Sequence, residues 1–112
     1  MNQNYHKTKR MEEHEAYARS LTNFNLIRRV SMAANIVDGH LIVGNRHFCP
    51  LMEMQIDSLQ LDYHNHDIRF DQGFVDQWGI FMSRQEAWEV AKARGQIKEV
   101  FQEGVLFSEC YL

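Results

Sequence analysis

One short segment of the chain brings together residue types that bind anions. The segment 44–50, GNRHFCP, follows an apolar run and precedes an amphipathic one, which predicts a strand ending at Gly44 and a helix beginning at Pro50. The free N–H groups of a helix N-terminus suit an anion. Arg46 adds donors that match phosphate or carboxylate, and His47 adds a donor whose charge follows pH. The segment therefore predicts a pocket for a phosphate-bearing ligand. The alternative is that Arg46 pairs with a carboxylate and His47 packs as a structural residue.

Two other places in the sequence carry related chemistry. Gly73 within a strand pattern indicates a bulge or a close backbone approach, and Phe74 beside it offers a face on which a base can stack. The competing interpretation is a core aromatic in a bent strand. Arg84 falls at the first position of a predicted helix, where a cation is slightly unfavourable for the helix dipole, and this indicates another use. The commoner explanation for such an arginine is a solvated surface residue. Glu86 fits a capping box begun by Ser83 and needs no other role.

No set of residues in the sequence has the spacing of a catalytic or metal centre. The triplet 64–66, HNH, lacks the dispersed partners of a nuclease metal site, and a lone His-x-His is not a tetrahedral metal site. Cys49 lies near His47, but no third group is evident to orient the pair. We therefore expect no catalysis, no metal and no cofactor. The alternative is an enzyme that uses His47 with Glu109 or Asp76 as acid and base.

The composition fits one small folded domain and argues against several classes of protein. The chain has 112 residues, 45% of them apolar, and a formal charge of −3. This mild acidity argues against a general nucleic-acid binder, which needs a basic face. Residues 1–24 hold no apolar stretch typical of a secretory signal, and no run approaches the ~20 residues that span a membrane. We expect two free thiols, Cys49 and Cys110, in a reducing compartment, and neither a membrane nor nucleic acid as a partner.

The hydrophobic periodicity predicts the elements that must position these residues. Residues 1–24 form an arm with a helix near 11–21, and residues 25–112 form a single ligand-binding domain. The expected class is α+β, an antiparallel sheet of about five strands with two or three helices packed on it. The elements expected in this domain are strands at 28–37 and 40–44 joined by an Asp38-Gly39 turn, a helix from 50 to about 60, a loop over 61–69, strands at 70–77 and 80–82, a helix from 84 that stops at Gly95, and a last strand at 105–107.

The motifs, taken in order, resemble those of a family of small phage and prophage proteins. The resemblance covers about residues 30–112 and leaves out the N-terminal arm. At the end of the chain, Cys110-Tyr111-Leu112 stands where the family typically has Asp-Leu-Tyr, which puts any role of that acid in doubt. The residues that carry the resemblance are Gly44-x-Arg46-His47, Met52, Gln72-Gly73-Phe74-Val75-Asp76, Gly79-x-Phe81, Arg84-x-Glu86-Ala87, Ala91, Gly95-Gln96 and Leu106-Phe107-Ser108-Glu109.

The proteins resembled are the phage Thoeris anti-defence proteins, which are oligomeric and non-catalytic. They sequester the signalling nucleotide made by host TIR-domain proteins, a cyclic ADP-ribose isomer, and some related ones hold cyclic oligonucleotides. The resemblance implies a homo-oligomer in the host cytoplasm that binds such a nucleotide. Beside this function and that of a nucleotide-cleaving enzyme, a third interpretation is an interaction module that blocks a host protein through its N-terminal arm. The residues that the resemblance places in the pocket are Arg46, His47, Phe74, Arg84 and Gln96.

Overall fold

Four strands and four helices make up the fold, which is given by a computed structural model describing residues 5–61 and 70–111. The strands form one antiparallel sheet in the order β2-β1-β3-β4. The α+β class with an antiparallel sheet is therefore confirmed. In chain order the elements are α1 (Lys9–Ser20), α2 (Phe24–Ile27), β1 (Val30–Val37), β2 (His40–Gly44), α3 (Pro50–Ser58), β3 (Phe70–Asp76), β4 (Phe81–Ser83) and α4 (Arg84–Ala93).

The turn between β1 and β2 has the conformation that its sequence predicts. Asp38 and Gly39 have φ values of 48° and 79°, and a type I′ turn needs positive φ at both central residues. The strands on either side pair from Val37↔His40 onward. This local signal was sufficient to set the hairpin and its register.

At the start of α4, the serine cap of the predicted capping box forms, but the Glu86 side chain has a different partner. The Ser83 hydroxyl accepts a hydrogen bond from the Glu86 N–H, as expected, at 3.1 Å. The Glu86 carboxylate, however, accepts a hydrogen bond from Arg28 at 2.8 Å, and Arg28 also donates to Asp76 at 2.8 Å. Arg28 and Asp76 are both buried, and Asp76 further accepts two backbone N–H groups of the β3–β4 turn. Glu86 is therefore drawn into a charge cluster that ties the start of β1 to that turn.

The predicted last strand does not form. In the segment 105–107, the Leu106 N–H donates to the carbonyl oxygen of Arg84 at 3.1 Å, so this backbone docks on the start of α4 and not on a strand. Gln102 and Val105 form only an isolated bridge. The described sheet therefore has four strands instead of about five. The predicted loop over 61–69 lies, apart from its first residue, outside the residues that the structure describes.

The two faces of the sheet are covered differently. The larger core cluster lies between one face and the helices α3 and α4, and it includes the C-terminal segment around Leu106 and Tyr111. A smaller cluster lies on the opposite face, where Tyr5 packs against it. The backbone N–H of His6 donates to the Gly39 carbonyl oxygen at 2.7 Å, so the segment before α1 is docked on the β1–β2 turn.

Glutamine side chains complete backbone hydrogen bonds that the sheet leaves open. Gln96 accepts from the N–H of Val30 at 2.9 Å and donates to the Val30 carbonyl oxygen at 2.8 Å. Gln55 makes the same pair of contacts with Val43 on the edge strand β2. Gln77 accepts from the N–H of Arg29 and donates to the carbonyl oxygen of Ile27, both in the segment just before β1. Because a side-chain amide carries both donor and acceptor, each of these residues acts like one residue of a neighbouring strand.

Candidate functional site

The start of α3 has the predicted form, and the side chain of its N-cap residue, Cys49, makes no capping hydrogen bond to the first turn. Burial alone would raise the pKa of the Cys49 thiol, yet the polar backbone groups of the flanking residues outweigh it and lower that pKa. Gly44 leaves the room that the sulfur needs, because a Cβ there would lie 2.5 Å from Cys49 Sγ. The thiol therefore lies beside the helix start at which an anion was expected.

Arg46 lies on the outside of this segment. One of its Nη atoms donates to the carbonyl oxygen of Asn45 at 2.8 Å, and its guanidinium lies 5.9 Å from the ring centroid of Tyr111. The side chain is exposed. In this conformation Arg46 lies over the C-terminal segment and does not join the N–H groups around Cys49.

His47 points inward onto the sheet. Its Nε2 donates to the carbonyl oxygen of Gly73 at 2.8 Å, and its ring packs edge-on against Phe74 at a centroid distance of 5.1 Å. Burial lowers the pKa of His47, and the Arg84 charge lowers it further, while the hydrogen bond to Gly73 and the Glu109 charge oppose the shift. The geometry corresponds to a neutral structural histidine with its proton on Nε2, the alternative that the sequence left open.

Phe74 and Gln96 both lie in the interior. Phe74 is 0% exposed and packs between His47 and Tyr111, so neither face of its ring is open for stacking in this structure. Gln96 is 3% exposed, and its amide bonds to both backbone groups of Val30. For Phe74 the structure corresponds to the competing interpretation of a core aromatic.

Arg84 lies where the strand pairing stops. The register of β4 ends with Ser83 opposite Gly73, so β4 offers no partner to the residues of β3 before Gly73, and the chain turns into α4. The Arg84 guanidinium lies 4.9 Å from the ring centroid of Phe107, and one of its Nη atoms donates to the side-chain oxygen of Gln72. Its Nε is buried and has no hydrogen-bond partner among the described residues.

The electrostatic surroundings of Arg84 leave its charge poorly satisfied. Burial lowers the pKa of Arg84, and the charge of Glu109 opposes that shift. None of the ion pairs among the described residues involves Arg84. A guanidinium that is partly desolvated and has an open N–H gains more from a bound anion than a fully hydrated one does.

An open cavity of about 530 Å³ lies next to this guanidinium, and we call it the Arg84 cavity. Its lining offers one cation, three side-chain amides, a hydroxyl and a carboxylate over an apolar wall. These groups suit a ligand with anionic and hydroxyl groups, and the cavity lies beside the first turn of α4, where the Ser83 hydroxyl already accepts the Glu86 N–H. The described lining residues are Asp71, Gln72, Ser83, Arg84, Gln85, Gln102, Val105 and Phe107.

The sequence missed most of this lining. Of the five residues placed in a pocket by the resemblance, only Arg84 lines the cavity. Gln72 and Phe107 stand in motifs but have no role assigned from the sequence, and no sequence signal points to Gln85 or Gln102. The triplet 64–66 lies outside the described residues. Within the described ranges, no group of three or more His, Cys, Asp or Glu residues is arranged to hold a metal ion.

The fold and the cavity define a small α+β protein with an open, polar, arginine-bearing cavity at the start of a helix. The chain belongs to the phage T4 y16D protein family, whose model matches residues 29–111. The matched span includes the whole described lining of the Arg84 cavity and leaves out α1 and α2. The resemblance to small phage proteins is thereby confirmed. Neither a curated protein nor a solved structure matches the chain.

Two further findings bear on the class of protein. Cys49 and Cys110 are both free thiols, as expected from the sequence. Among the helices in the described ranges, none has the length and apolar character needed to cross a membrane.

Proposed function

We propose that this phage protein binds and sequesters a phosphate-bearing nucleotide of host immune signalling, a cyclic ADP-ribose isomer, without cleaving it. A cyclic oligonucleotide is the alternative ligand, because it carries the same phosphate, ribose and base groups. The observation that carries the proposal is Arg84, a partly buried guanidinium that lines a 530 Å³ cavity and whose buried Nε has no hydrogen-bond partner among the described residues. The nature of the nucleotide comes from the motif resemblance, and its place of action would be the host cytoplasm.

The chemistry of the cavity supports a nucleotide of this kind. A pyrophosphate needs several donors, which Arg84 and the first-turn N–H groups of α4 supply. Ribose hydroxyls need both donors and acceptors, and the amides, Ser83 and Asp71 provide them. Val105 and Phe107 offer apolar surface to a ring. A volume of this size lies within the range of ~300–1,000 Å³ that is usual for small-molecule sites.

The same lining supports binding over cleavage. Asp71 is the single acidic residue among the described lining residues, which include no histidine and no cysteine. Two of the three groups of the enzymatic alternative are used within the fold: His47 donates its Nε2 proton to Gly73, and Asp76 is buried in an ion pair with Arg28. The third, Glu109, is not among the described lining residues. A general acid or base must reach the reacting atom by a hydrogen bond. Sequestration needs only affinity.

The surface beside the cavity supports a homo-oligomer. Val100 and Phe101 are 50% and 57% exposed, and Phe101 contacts the cavity residue Phe107 at a centroid distance of 5.6 Å. An open cavity leaves part of a ligand in water, and a second copy of the chain over this apolar rim would bury the ligand more fully. Light scattering at micromolar protein concentration that gives the mass of a monomer would contradict this part of the proposal.

Calorimetric titration with a cyclic ADP-ribose isomer tests the site. Arg84→Ala should weaken binding about ten- to a hundredfold, because a hydrogen bond to a charged group contributes roughly 1.5–3 kcal/mol. Arg94→Ala is the matched control, since it removes the same charge from the exposed end of the same helix region and should leave the affinity within about twofold. Thermal melts of each variant confirm that it is folded.

Arg46→Ala tests whether the ligand binds at the segment 44–50, as the sequence predicts, or in the Arg84 cavity. The motif predicted that this change abolishes binding, whereas the geometry predicts a small effect because Arg46 does not line the cavity. Strong loss in Arg46→Ala with unchanged affinity in folded Arg84→Ala would place the site at the start of α3. Mass spectrometry of the ligand released by heating the complex tests sequestration, because recovery of a cleaved product would identify an enzyme.

A further inference from the structure

A second cavity, of about 380 Å³, lies between the N-terminal arm and the opposite face of the sheet, and we call it the arm cavity. The arm supplies one wall and the sheet with the β3–β4 turn supplies the other. The wall from the arm precedes residue 29, so it lies outside the span that the family model matches. The described lining residues are Tyr5, Lys7, Arg10, Met11, His14, Glu15, Leu41, Trp78, Gly79 and Ile80.

The arm is held in place by its own contacts, so the cavity has a defined wall. The His6 N–H donates to the carbonyl oxygen of Gly39. The Thr8 hydroxyl accepts the Met11 N–H and caps α1, while the Thr8 N–H bonds back to the sulfur of Met11. Lys7 forms an ion pair with Glu15 across the first turns of the helix at 2.9 Å. These contacts fix the residues that face the cavity.

Two aromatic side chains of the lining are held by their neighbours. The ring of Trp78 stacks on Phe24 at a centroid distance of 5.2 Å and an interplanar angle of 26°, and its side chain is only partly buried. Tyr5 packs edge-on against Phe81 at 6.1 Å. A ring that is already fixed loses little conformational entropy when a planar ligand packs against it. The aromatic walls therefore favour a planar, aromatic group in the cavity.

The uncompensated charge at this cavity is positive. The Glu15 carboxylate is paired twice, with Lys7 at 2.9 Å and with Arg19 at 3.0 Å, so it repels an anion only weakly. Arg10 is exposed and has no hydrogen-bond or ion-pair partner among the described residues, and the ring of His14 lies 6.5 Å from that of Tyr17. The rim thus offers one free guanidinium to an anionic group.

We propose that the arm cavity is a second binding site, for a planar aromatic ligand that carries one anionic group. Its volume is near the lower end of the ~300–1,000 Å³ usual for ligand sites, which suits one ring system with one charged group. A nucleoside monophosphate and an aromatic carboxylic acid share this chemistry. The site is independent of the nucleotide proposed for the Arg84 cavity, because no described residue lines both.

Calorimetric titration of the full chain with four probes tests the chemistry. The probes are adenosine 5′-monophosphate, 2-naphthoate, adenosine and inorganic phosphate. Binding of either of the first two, at least about tenfold tighter than adenosine and phosphate, supports the proposal and tells a nucleotide from an aromatic acid. Equal binding of inorganic phosphate or adenosine, or no binding of the first two at millimolar concentration, overturns it.

Matched variants locate the binding. Arg10→Ala should weaken binding of the tighter probe about tenfold, whereas Lys9→Ala, which removes a charge from a side chain that is 92% exposed and outside the lining, should stay within about twofold. Arg84→Ala should bind the probe like the unchanged protein. The probe should change tryptophan fluorescence in the unchanged protein but not in Trp78→Phe. Equal effects of the Arg10 and Lys9 changes, or loss of binding in Arg84→Ala alone, would overturn the assignment.

Discussion

Removing the side-chain amide of Gln96 tests whether this residue serves the fold or a ligand. Gln96→Ala leaves the N–H and the carbonyl oxygen of Val30 without their side-chain partners, and Val30 is only 2% exposed. Each lost hydrogen bond costs about 1 kcal/mol net, and a buried group left unsatisfied costs roughly 1–3 kcal/mol. Because a water molecule can enter the vacated volume and satisfy part of this loss, we expect the free energy of unfolding to fall by about 2–4 kcal/mol.

Gln77 provides the matched control for this change. It makes the same two kinds of contact, accepting from the Arg29 N–H at 2.9 Å and donating to the Ile27 carbonyl oxygen at 2.7 Å, but it is exposed. Water replaces its amide at little cost, so Gln77→Ala should lower the free energy of unfolding by about 1 kcal/mol or less. Urea unfolding followed by the fluorescence of the buried Trp88 measures both variants, with an unchanged m-value expected.

The variant Gln96→Glu adds a pH signature to the same experiment. A carboxylate keeps the acceptor for the Val30 N–H but removes the donor and faces the Val30 carbonyl oxygen. Burial and this carbonyl should raise the pKa of the introduced carboxyl in the folded state. Between the unfolded-state and folded-state pKa values the folded form binds more protons, so the variant should regain stability as the pH falls through the folded-state pKa toward the unfolded value of about 4.3. A Gln96→Ala protein no less stable than Gln77→Ala, but impaired in nucleotide binding, would refute the structural role.

Two further changes test the segment between β2 and α3. A Cβ on Gly44 would lie 2.5 Å from Cys49 Sγ and 3.1 Å from Met52 Cγ, so Gly44→Ala should lower the free energy of unfolding by about 1–3 kcal/mol. Adding Cys49→Ala removes the clashing sulfur and should recover part of this loss. If urea unfolding shows that the two losses simply add in the double variant, this packing is contradicted. Because burial lowers the pKa of His47, the unfolded chain binds more protons than the folded one below pH about 6.5, and the protein loses stability as the pH falls below that value. His47→Gln keeps a donor for the Gly73 carbonyl oxygen but does not titrate, so this variant should lose less stability over the same pH range. Parallel profiles of stability against pH for the two proteins would contradict the prediction.

The parts of the fold that the sequence predicted depend on local interactions. Asp38-Gly39 can form its turn whatever surrounds it, and Ser83 caps a helix whose first turn lies next to it in sequence. The prediction of a strand at 105–107 was wrong because the backbone there bonds to a residue far away in the sequence. A short apolar run is compatible with a strand or with buried irregular backbone, and only the distant carbonyl oxygen of Arg84 decides where the Leu106 N–H bonds. Element types were therefore predictable where their partners are near in sequence.

The candidate site shows the same limit more strongly. The start of α3 carries the residue types of an anion site, but the sequence does not show that Arg46 turns outward and His47 points onto the sheet. Arg84 was recognised from its position at a helix start and from the resemblance. Its surroundings come from two other parts of the chain, with Gln72 on β3 and both Gln102 and Phe107 in the segment after α4. No periodicity brings these residues together, so only the tertiary structure assigns them to one cavity.

The contacts of the motif residues explain why Arg84 stands apart from the rest. The polar groups of several motif residues are used within the fold: His47 donates to Gly73, Asp76 pairs with Arg28, and Gln96 closes the backbone at Val30. A residue whose hydrogen bonds are satisfied inside the protein gains little from a ligand and loses much when it is moved. Arg84 lines a cavity, and its Nε has no partner among the described residues. A signature of this kind therefore describes mainly the scaffold, and the binding that we propose depends on the motif residue whose donors the scaffold leaves partly unused.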